Sequence, residues 1–294
     1  AQLCSSDSAL LPHIEMVLVE VNPGMRQRQQ ARLQQVDGLS VRWCSLEQLR
    51  SDPVRGVVIA HELLDALPVE RLVWRDGSLQ QEWVELDQTH GLRTTHRPLP
   101  VALQDEINRV CINRGIQLPP PDADEGWTTE WNSALPDWFA TVAAALDSGV
   151  LLVIDYALEA HRYYTARRSE GTLIAVRAQQ AGLSPLHQPG EQDLTAHLCI
   201  DVVAEAAKGS GWLVGDQAKQ GEALLALGLA ERLHDLQQLP GQRLAEALQR
   251  RETLLRLVDP SGLGAFRWLT YLWGLPEGAF SLAAAPGNSE SPRD

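Results

Sequence analysis

The chain has 294 residues, 44% of them hydrophobic, enough for one large domain or two modest ones with a real core. Its 38 acidic residues outnumber 25 basic ones, and the net charge of −13 argues against nucleic acid and anionic membranes as main partners, because phosphate binding needs basic patches. The bases are almost all arginine, with Lys only at 208 and 219, a bias we assign to genome composition rather than function.

Cys4, Cys44, Cys111 and Cys199 are far apart and form no C-x-x-C pair, so they read as reduced core thiols rather than a disulfide scaffold or zinc ribbon. No apolar run approaches the ~20 residues of a membrane helix, so no membrane insertion is expected. The opening AQLCSSDSALLPHIEM has no initiating Met, basic leader or long apolar core. A signal peptide is therefore not expected, and the sequence is expected to begin inside a longer chain. The expected location is the bacterial cytoplasm rather than the mitochondrial matrix.

In chain order, MVLVE (16–20) is the first clear strand, and Asn22 can cap a helix beginning at Pro23. VRWC (41–44) and GVVIA (56–60) are the next strands. Short β-rich runs separated by helices predict a parallel sheet covered on both faces. From residue 69 the pattern changes: VERLVWRDGSLQQEWVELD holds two strand-like runs around Asp76-Gly77, a hairpin signal. Residues 88–129 carry a helix at about 99–114 and the Pro-rich QLPPPDADEG, as an insertion over the sheet.

The sheet pattern then resumes. Trp131, Leu135, Trp138, Val142 and Leu146 recur at helical spacing, and GVLLVIDY (149–156) is the most apolar strand. GTLIAV (171–176) reads as another strand. Leu194, Leu198, Val202 and Ala206 line one helical face behind Asp193 as a cap. WLVGD (212–216) is strand-like, 242–258 is helical, and FRWLTYLWG (266–274) reads as the last strand. There is no internal repeat. The expected organisation is a core in 1–68 and 130–280, an inserted substrate-facing region in 69–129, and a disordered tail in 281–294.

Glu20 ends a strand just before a helix cap. Nucleotide-binding α/β folds place there an acid that accepts hydrogen bonds from ribose hydroxyls, although a solvated strand-end acid fits the position equally well. The glycine-rich loop that accompanies such an acid lies roughly 20 residues earlier, and counting back from Glu20 reaches residue 1. Gly209/Gly211 follows a helix and precedes a strand, the order of a helix C-terminal signal. Gly262/Gly264 sits in a turn after Pro260 and Ser261.

His61 and Glu62 end one strand, and Asp155 and Tyr156 end another, where open parallel sheets bind ligands. A metal site at His61, Glu62 and Asp65 would lack a second histidine in register, so none is expected. In HQPGEQDLTAH (187–197), a capped turn accounts for Asp193 and leaves Gln192 and His197 as candidates. No G-x-S-x-G, H-E-x-x-H or Walker loop is present, which disfavours hydrolase and kinase chemistry.

Four segments, HELLDALPVERL, LLVIDYALEAHRYYTARRSEGTL, SPLHQPGEQDLTAH and LVDPSGLGAFRWLTYLWG, resemble in order and spacing the MidA-like S-adenosylmethionine-dependent methyltransferases. Together they cover most of residues 16–274. The resemblance implies a Rossmann-like α/β methyltransferase sheet with helices on both faces and an inserted β-hairpin and helix region. It implies S-adenosylmethionine as cofactor and a protein acceptor with a basic segment. The family's mitochondrial member dimethylates arginine on a subunit of complex I, so such a subunit is the implied acceptor.

By position, Glu20 in LVEVNP resembles the acid that holds the cofactor ribose, and Ser45 and Leu46 resemble the loop beside the adenine. HELLDALPV resembles the family's Asn-Glu-x-x-Asp-Ala-Leu-Pro-Val motif at the methyl-transfer pocket, with His61 in place of the usual Asn on the cofactor side. The resemblance makes Glu62 and Asp65 the acids that hold an acceptor guanidinium. Asp155, Tyr156, Gln192 and His197, singled out by their positions, are expected on the substrate side. Ala157 stands where the family usually has Gly. The family's first strand and Gly-x-Gly loop would lie before residue 1, leaving a vacant place between strands 16–20 and 56–60. The 294-residue chain alone is then expected to bind cofactor weakly or not at all. The alternative function is a non-catalytic assembly or binding protein that retains the fold.

Overall fold

The computed structural model describes residues 13–282, apart from 35, 37, 90, 179, 239 and 240. Cys4 and nearly all of the tail expected to be disordered lie outside the described residues.

Two parallel strands open the fold. β1 (Glu15–Val19) pairs with β2 (Ser40–Cys44) from Glu15↔Ser40 to Val19↔Cys44. Helix α1 (Pro23–Leu33) joins them, and it starts where the sequence says: Asn22 Oδ1 accepts the Met25 N–H at 3.0 Å, with Pro23 at the first helical position. The helix buries none of its residues, as its run of Arg and Gln requires. Ser45 caps a short helix, α2 (Leu46–Ser51), in a reciprocal box with Gln48. Cys44 and Leu49 pack there with Ala145, with Leu46, Val17 and Val54 around them.

β3 (Val54–His61) leads into the inserted region. β4 (Glu70–Arg75) and β5 (Ser78–Asp87) form the expected hairpin, in which Asp76 and Gly77 both have positive φ, 51° and 73°. That is the geometry of a two-residue turn whose twist matches its strands. β6 (Gly91–Pro98), helix α3 (Val101–Arg114) and β7 (Thr128–Trp131) complete the region, and the strands form an antiparallel sheet in the order β6-β5-β4-β7. Trp131 therefore sits in a strand, not in the expected helix: it pairs with Glu70 and is buried. Helix α4 begins only at Leu135 (Leu135–Ala144), with Pro136 in its first turn.

β8 (Leu146–Asp155) is the centre of the larger sheet. It pairs in parallel with β3, from Val57↔Val150 to His61↔Ile154. Close approach there demands glycine: a Cβ on Gly149 would lie 2.0 Å from the Gly56 carbonyl oxygen. Beyond β8 come the short β9 (Ala157–Leu158), the one-turn helix α5 (Ala160–Tyr163), and a small antiparallel sheet of β10 (Ile174–Arg177), β11 (Gln180–Leu183) and β12 (Asp193–Thr195). β13 (Leu198–Cys199) pairs with β9, and helix α6 runs over Ile200–Gly209. The helix expected behind Asp193 is thus corrected: Asp193 pairs with Val176 in a strand, and Leu194 is exposed. A spacing of four fits a helix turn and is also a multiple of the strand period, so Leu194 and Leu198 could not tell the two apart.

β14 (Leu213–Lys219), the helices α7 (Gln220–Ala226), α8 (Leu229–Gln237) and α9 (Leu244–Val258), and β15 (Arg267–Trp273) complete the fold. β15 lies antiparallel between β14 and β8, giving the order β14-β15-β8-β3. The main core fills the space between this sheet, α4, α6 and the inserted region, around Leu64, Leu72, Trp131, Phe139, Leu151 and Trp212. Among the described residues no strand joins β1 to β3, which ends the larger sheet with β8 as its one partner. None of the described helices is long and apolar enough to cross a membrane. The described cysteines are unbridged, and burial pushes the Cys199 thiol up to about 12.

Candidate active site

Where β3 ends, the chain turns sharply. Glu62 takes a left-handed φ of 47°, uncommon for a residue with a Cβ, and its N–H still donates to the Ile154 carbonyl at 3.0 Å. The turn is then folded around one side chain. Asp155 Oδ2 accepts the N–H groups of Leu64 and Asp65 at 3.1 and 3.2 Å, and its Oδ1 accepts the Tyr156 N–H at 2.8 Å. Leu64 is buried in the core beneath, and Leu67 N–H to Leu64 O at 3.2 Å closes the turn ahead of Pro68.

A second segment docks alongside. The Ala196 N–H donates to the Asp65 carbonyl at 2.9 Å, and the Leu198 N–H donates to the Tyr156 carbonyl at 2.8 Å. These bonds bring His197 over Tyr156, with rings stacked at 5.6 Å and 9°. Phe266 backs Tyr156 at 4.1 Å and His61 at 6.1 Å. His61 Nε2 and Glu62 Oε1 stand 3.7 Å apart, both about half-exposed. The structure thus gathers His61, Glu62, Asp65, Asp155, Tyr156 and His197 at the carboxyl ends of β3 and β8.

The electrostatics follow from burial and crowding of acids. Burial first, and the neighbouring Asp65 second, push the Asp155 carboxyl up to about 7 against the pull of its three backbone donors. Burial and Glu62 likewise raise Asp65, whose Oδ1 is buried without a partner. Burial, then the three carboxylates, raise the Tyr156 phenol, so it stays protonated. Burial and Arg168 hold the His197 imidazole below its ordinary value, and its Nδ1 is buried and unpartnered.

Glu20, Ser45 and Leu46 stand at the carboxyl ends of β1 and β2. Glu20 is half-buried, with Oε1 accepting the Asn22 N–H at 2.8 Å and Oε2 the Gln29 amide at 3.1 Å. An ionised carboxylate offers about four acceptor sites, so two are left for vicinal hydroxyls. That acceptor set fits the ribose of a nucleoside cofactor. The glycine loop expected ahead of β1 lies outside the described residues. Gln192 joins neither group: its amide donates to the Ser184 carbonyl at 3.1 Å and to the His187 carbonyl, within its own loop.

Four further residues support the site and escaped the sequence reading. Phe266 was read only as part of a strand, yet it is the buried ring behind His61 and Tyr156. Glu130 is buried, accepts Thr172 N–H at 2.7 Å, Thr172 Oγ1 at 2.9 Å and Leu173 N–H at 3.3 Å, and faces Arg71 at 3.4 Å. Thr172 Oγ1 in turn accepts the His197 N–H at 3.1 Å. Asn132 reaches the Leu64 carbonyl at 3.5 Å. The signal for Glu130 was the run TTEW itself, an acid among Thr and Trp. A cleft of about 300 Å³ between α3, α4 and α6 shares no residue with the strand-end cluster. Its acids Glu106 and Glu205 are already engaged by Trp131 and by Asn113 and Arg114. Among the described residues no group of three or more His, Cys, Asp or Glu is placed to hold a metal.

Ionisable groups at the carboxyl ends of parallel strands stand where open α/β sheets bind ligands, and comparison with known proteins gives the class. Residues 2–216 match the family model of S-adenosyl-L-methionine-dependent methyltransferases, and the chain belongs to that family. It is similar to a protein from Burkholderia thailandensis whose crystal structure was solved bound to S-adenosyl-homocysteine. The identity is 28% and the TM-score 0.75, over 89% of this chain and 65% of that one. A native crystal structure of a protein of the same superfamily and organism matches at 28% identity and TM-score 0.77, over 92% and 69%. A protein arginine methyltransferase NDUFAF7 homolog, mitochondrial, of Drosophila melanogaster is 24% identical over 243 residues. That match takes in 75% of this chain and 48% of the relative, so the chain spans about half the length of that curated protein.

Proposed function

We propose that the protein transfers a methyl group from S-adenosylmethionine to a cationic nitrogen of a protein acceptor, with arginine as the favoured residue. The observation that carries this reading is the strand-end cluster: two acids, Glu62 and Asp65, on one turn, with Asp65 Oδ1 buried and unpartnered. A buried acceptor without a donor is unfavourable, and the N–H fork of a guanidinium is the natural group to satisfy it. The arginine methyltransferase relative and the net charge of −13 point the same way.

Glu20 would hold the cofactor ribose, with Ser45 and Leu46 beside the adenine and His61 toward the methyl-bearing end. When bound, the cofactor supplies an electrophilic methyl on a sulfonium. Glu62 and Asp65 pair with two nitrogens of the guanidinium, drawing its charge to one side and leaving the third nitrogen to attack. They also fix its approach, which turns an encounter into an aligned displacement. The proton that the methylated nitrogen sheds passes to Asp65. Tyr156 stays protonated beside the acids and offers an O–H to the acceptor's backbone, while Phe266 and His197 keep its ring in place.

The experiment is label transfer. The full gene product, methyl-labelled S-adenosylmethionine and basic peptides matched in charge but built on arginine or lysine should give label on the arginine peptides. Label on lysine alone would overturn the arginine assignment. Cofactor binding with no label on any acceptor, complex I subunits included, would favour a binding or assembly role.

A further inference from the structure

Asp155 ends β8 and is itself fully buried. Its carboxylate is committed: it takes three backbone N–H groups, two of them from the turn that carries Glu62 and Asp65. That turn has few other ties. Glu62 N–H bonds to Ile154, the Asp65 carbonyl accepts Ala196 N–H, and Leu64 is its one fully buried side chain between Glu62 and Pro68. The left-handed Glu62 needs surroundings that hold it in place.

We propose that Asp155 is a positioning residue, whose carboxylate fastens the 61–68 turn to the end of β8 and so aims Glu62 and Asp65 at the acceptor. The assignment rests on the methyltransferase reading of the site. It makes the turn responsive to pH, because the closed turn keeps the carboxyl buried beside Asp65 and opening it returns the carboxyl to solvent. The groups facing Asp155 are Asp65 and Glu62 from the turn, His61 from β3 and Tyr156 beside it. Arg267 lies opposite on β15, its guanidinium drawn away to Glu159, and His197 lies behind Tyr156. Burial first, and Asp65 second, bring its titration to about 7.

The test measures hydrogen exchange of the Leu64 and Asp65 amides in the full gene product, alongside methyl transfer. In Asp155→Asn, protection of these two amides should fall by roughly tenfold, the loss of about one charge-assisted hydrogen bond, while amides in the middle of β8 stay protected. Transfer should fall by about a hundredfold through kcat, as for a reacting group displaced by about an ångström, with cofactor affinity unchanged. In the parent, protection at Leu64 and Asp65, corrected for intrinsic exchange, should rise between pH 8 and pH 6, because the closed turn holds the Asp155 proton more tightly than the open one. This arm needs no variant and stands even if Asp155→Asn folds poorly. Unchanged protection in the variant, or pH-independent protection in the parent, would overturn the proposal. The same pH response in a parent that transfers no methyl group would instead refute the methyltransferase reading and leave the anchoring role intact.

Discussion

β3 and β8 run side by side in parallel and both are written in apolar residues, yet they end in opposite circumstances. On the face they share, β8 keeps Val150 buried, while β3 leaves Val57 and Ile59 62% and 64% exposed. The reason is the number of neighbours: among the described residues β8 has β3 on one side and β15 on the other, and β3 has β8 alone. The same contrast sets the chemistry. The closed strand delivers a fully buried carboxyl, Asp155, that can only bond to backbone. The open strand delivers His61 and Glu62 half-exposed, where a ligand can reach them. One strand anchors the site and the other presents it.

The largest effect that sharpens this comparison is on stability. Leu151→Ala, at a position of zero exposure on β8, should destabilise the 294-residue chain by about 2–5 kcal/mol. Ile59→Ala, one strand away, should cost less than about 1 kcal/mol, the range of surface changes. Urea unfolding of both variants would break the comparison if the two costs were equal.

Next comes the cofactor edge. Glu20→Ala should weaken S-adenosylmethionine binding by about 1–3 kcal/mol, because it leaves donors unmet at β1. Calorimetric titration of the full gene product with equal affinities for variant and parent would remove Glu20 from the site.

A smaller effect is the pH dependence of stability at the anchor. The folded Asp155 carboxyl titrates at about 7 against an ordinary value of 3.8, so the fold holds this proton more tightly than the unfolded chain. That contribution is fully present below about 4 and is lost as pH rises through about 7. Asp155→Asn lacks it, so the melting temperature of the variant relative to the parent should rise by a few degrees between pH 5 and pH 8. A difference flat with pH would mean that Asp155 keeps its ordinary affinity for protons.

Much of this architecture was legible in the sequence. Apolar runs marked β1, β2, β3, β8 and β15, Asn22-Pro23 marked a helix start, and Asp76-Gly77 marked a hairpin, because each signal is local. What failed were signals that two structures share. The four-residue spacing of Leu194 and Leu198 suits both helix and strand, and Trp131 fell on the helical rhythm of α4 while pairing with β4. Exposure was legible only as an expected gap beside β3, since apolarity announces a strand but not how many neighbours it finds. Within the site, His61, Glu62 and Asp155 were visible as ionisable residues ending apolar runs. Phe266 and Glu130 were not, because their roles come from contacts across 110 and 42 residues of chain, Phe266 to Tyr156 and Glu130 to Thr172.

The central claim is that Glu62 acts on the acceptor rather than on the fold, and Glu62→Gln tests it most directly. The side chains are nearly isosteric, so the turn should persist, while the charge that orients the acceptor is lost. Such a loss is worth about 2.7–4 kcal/mol in the transition state. Single-turnover transfer to a basic peptide, at saturating cofactor in the full gene product, should slow by about a hundredfold or more, with cofactor affinity unchanged. A variant that melts lower yet transfers at the parental rate would make Glu62 a structural turn residue and contradict the account.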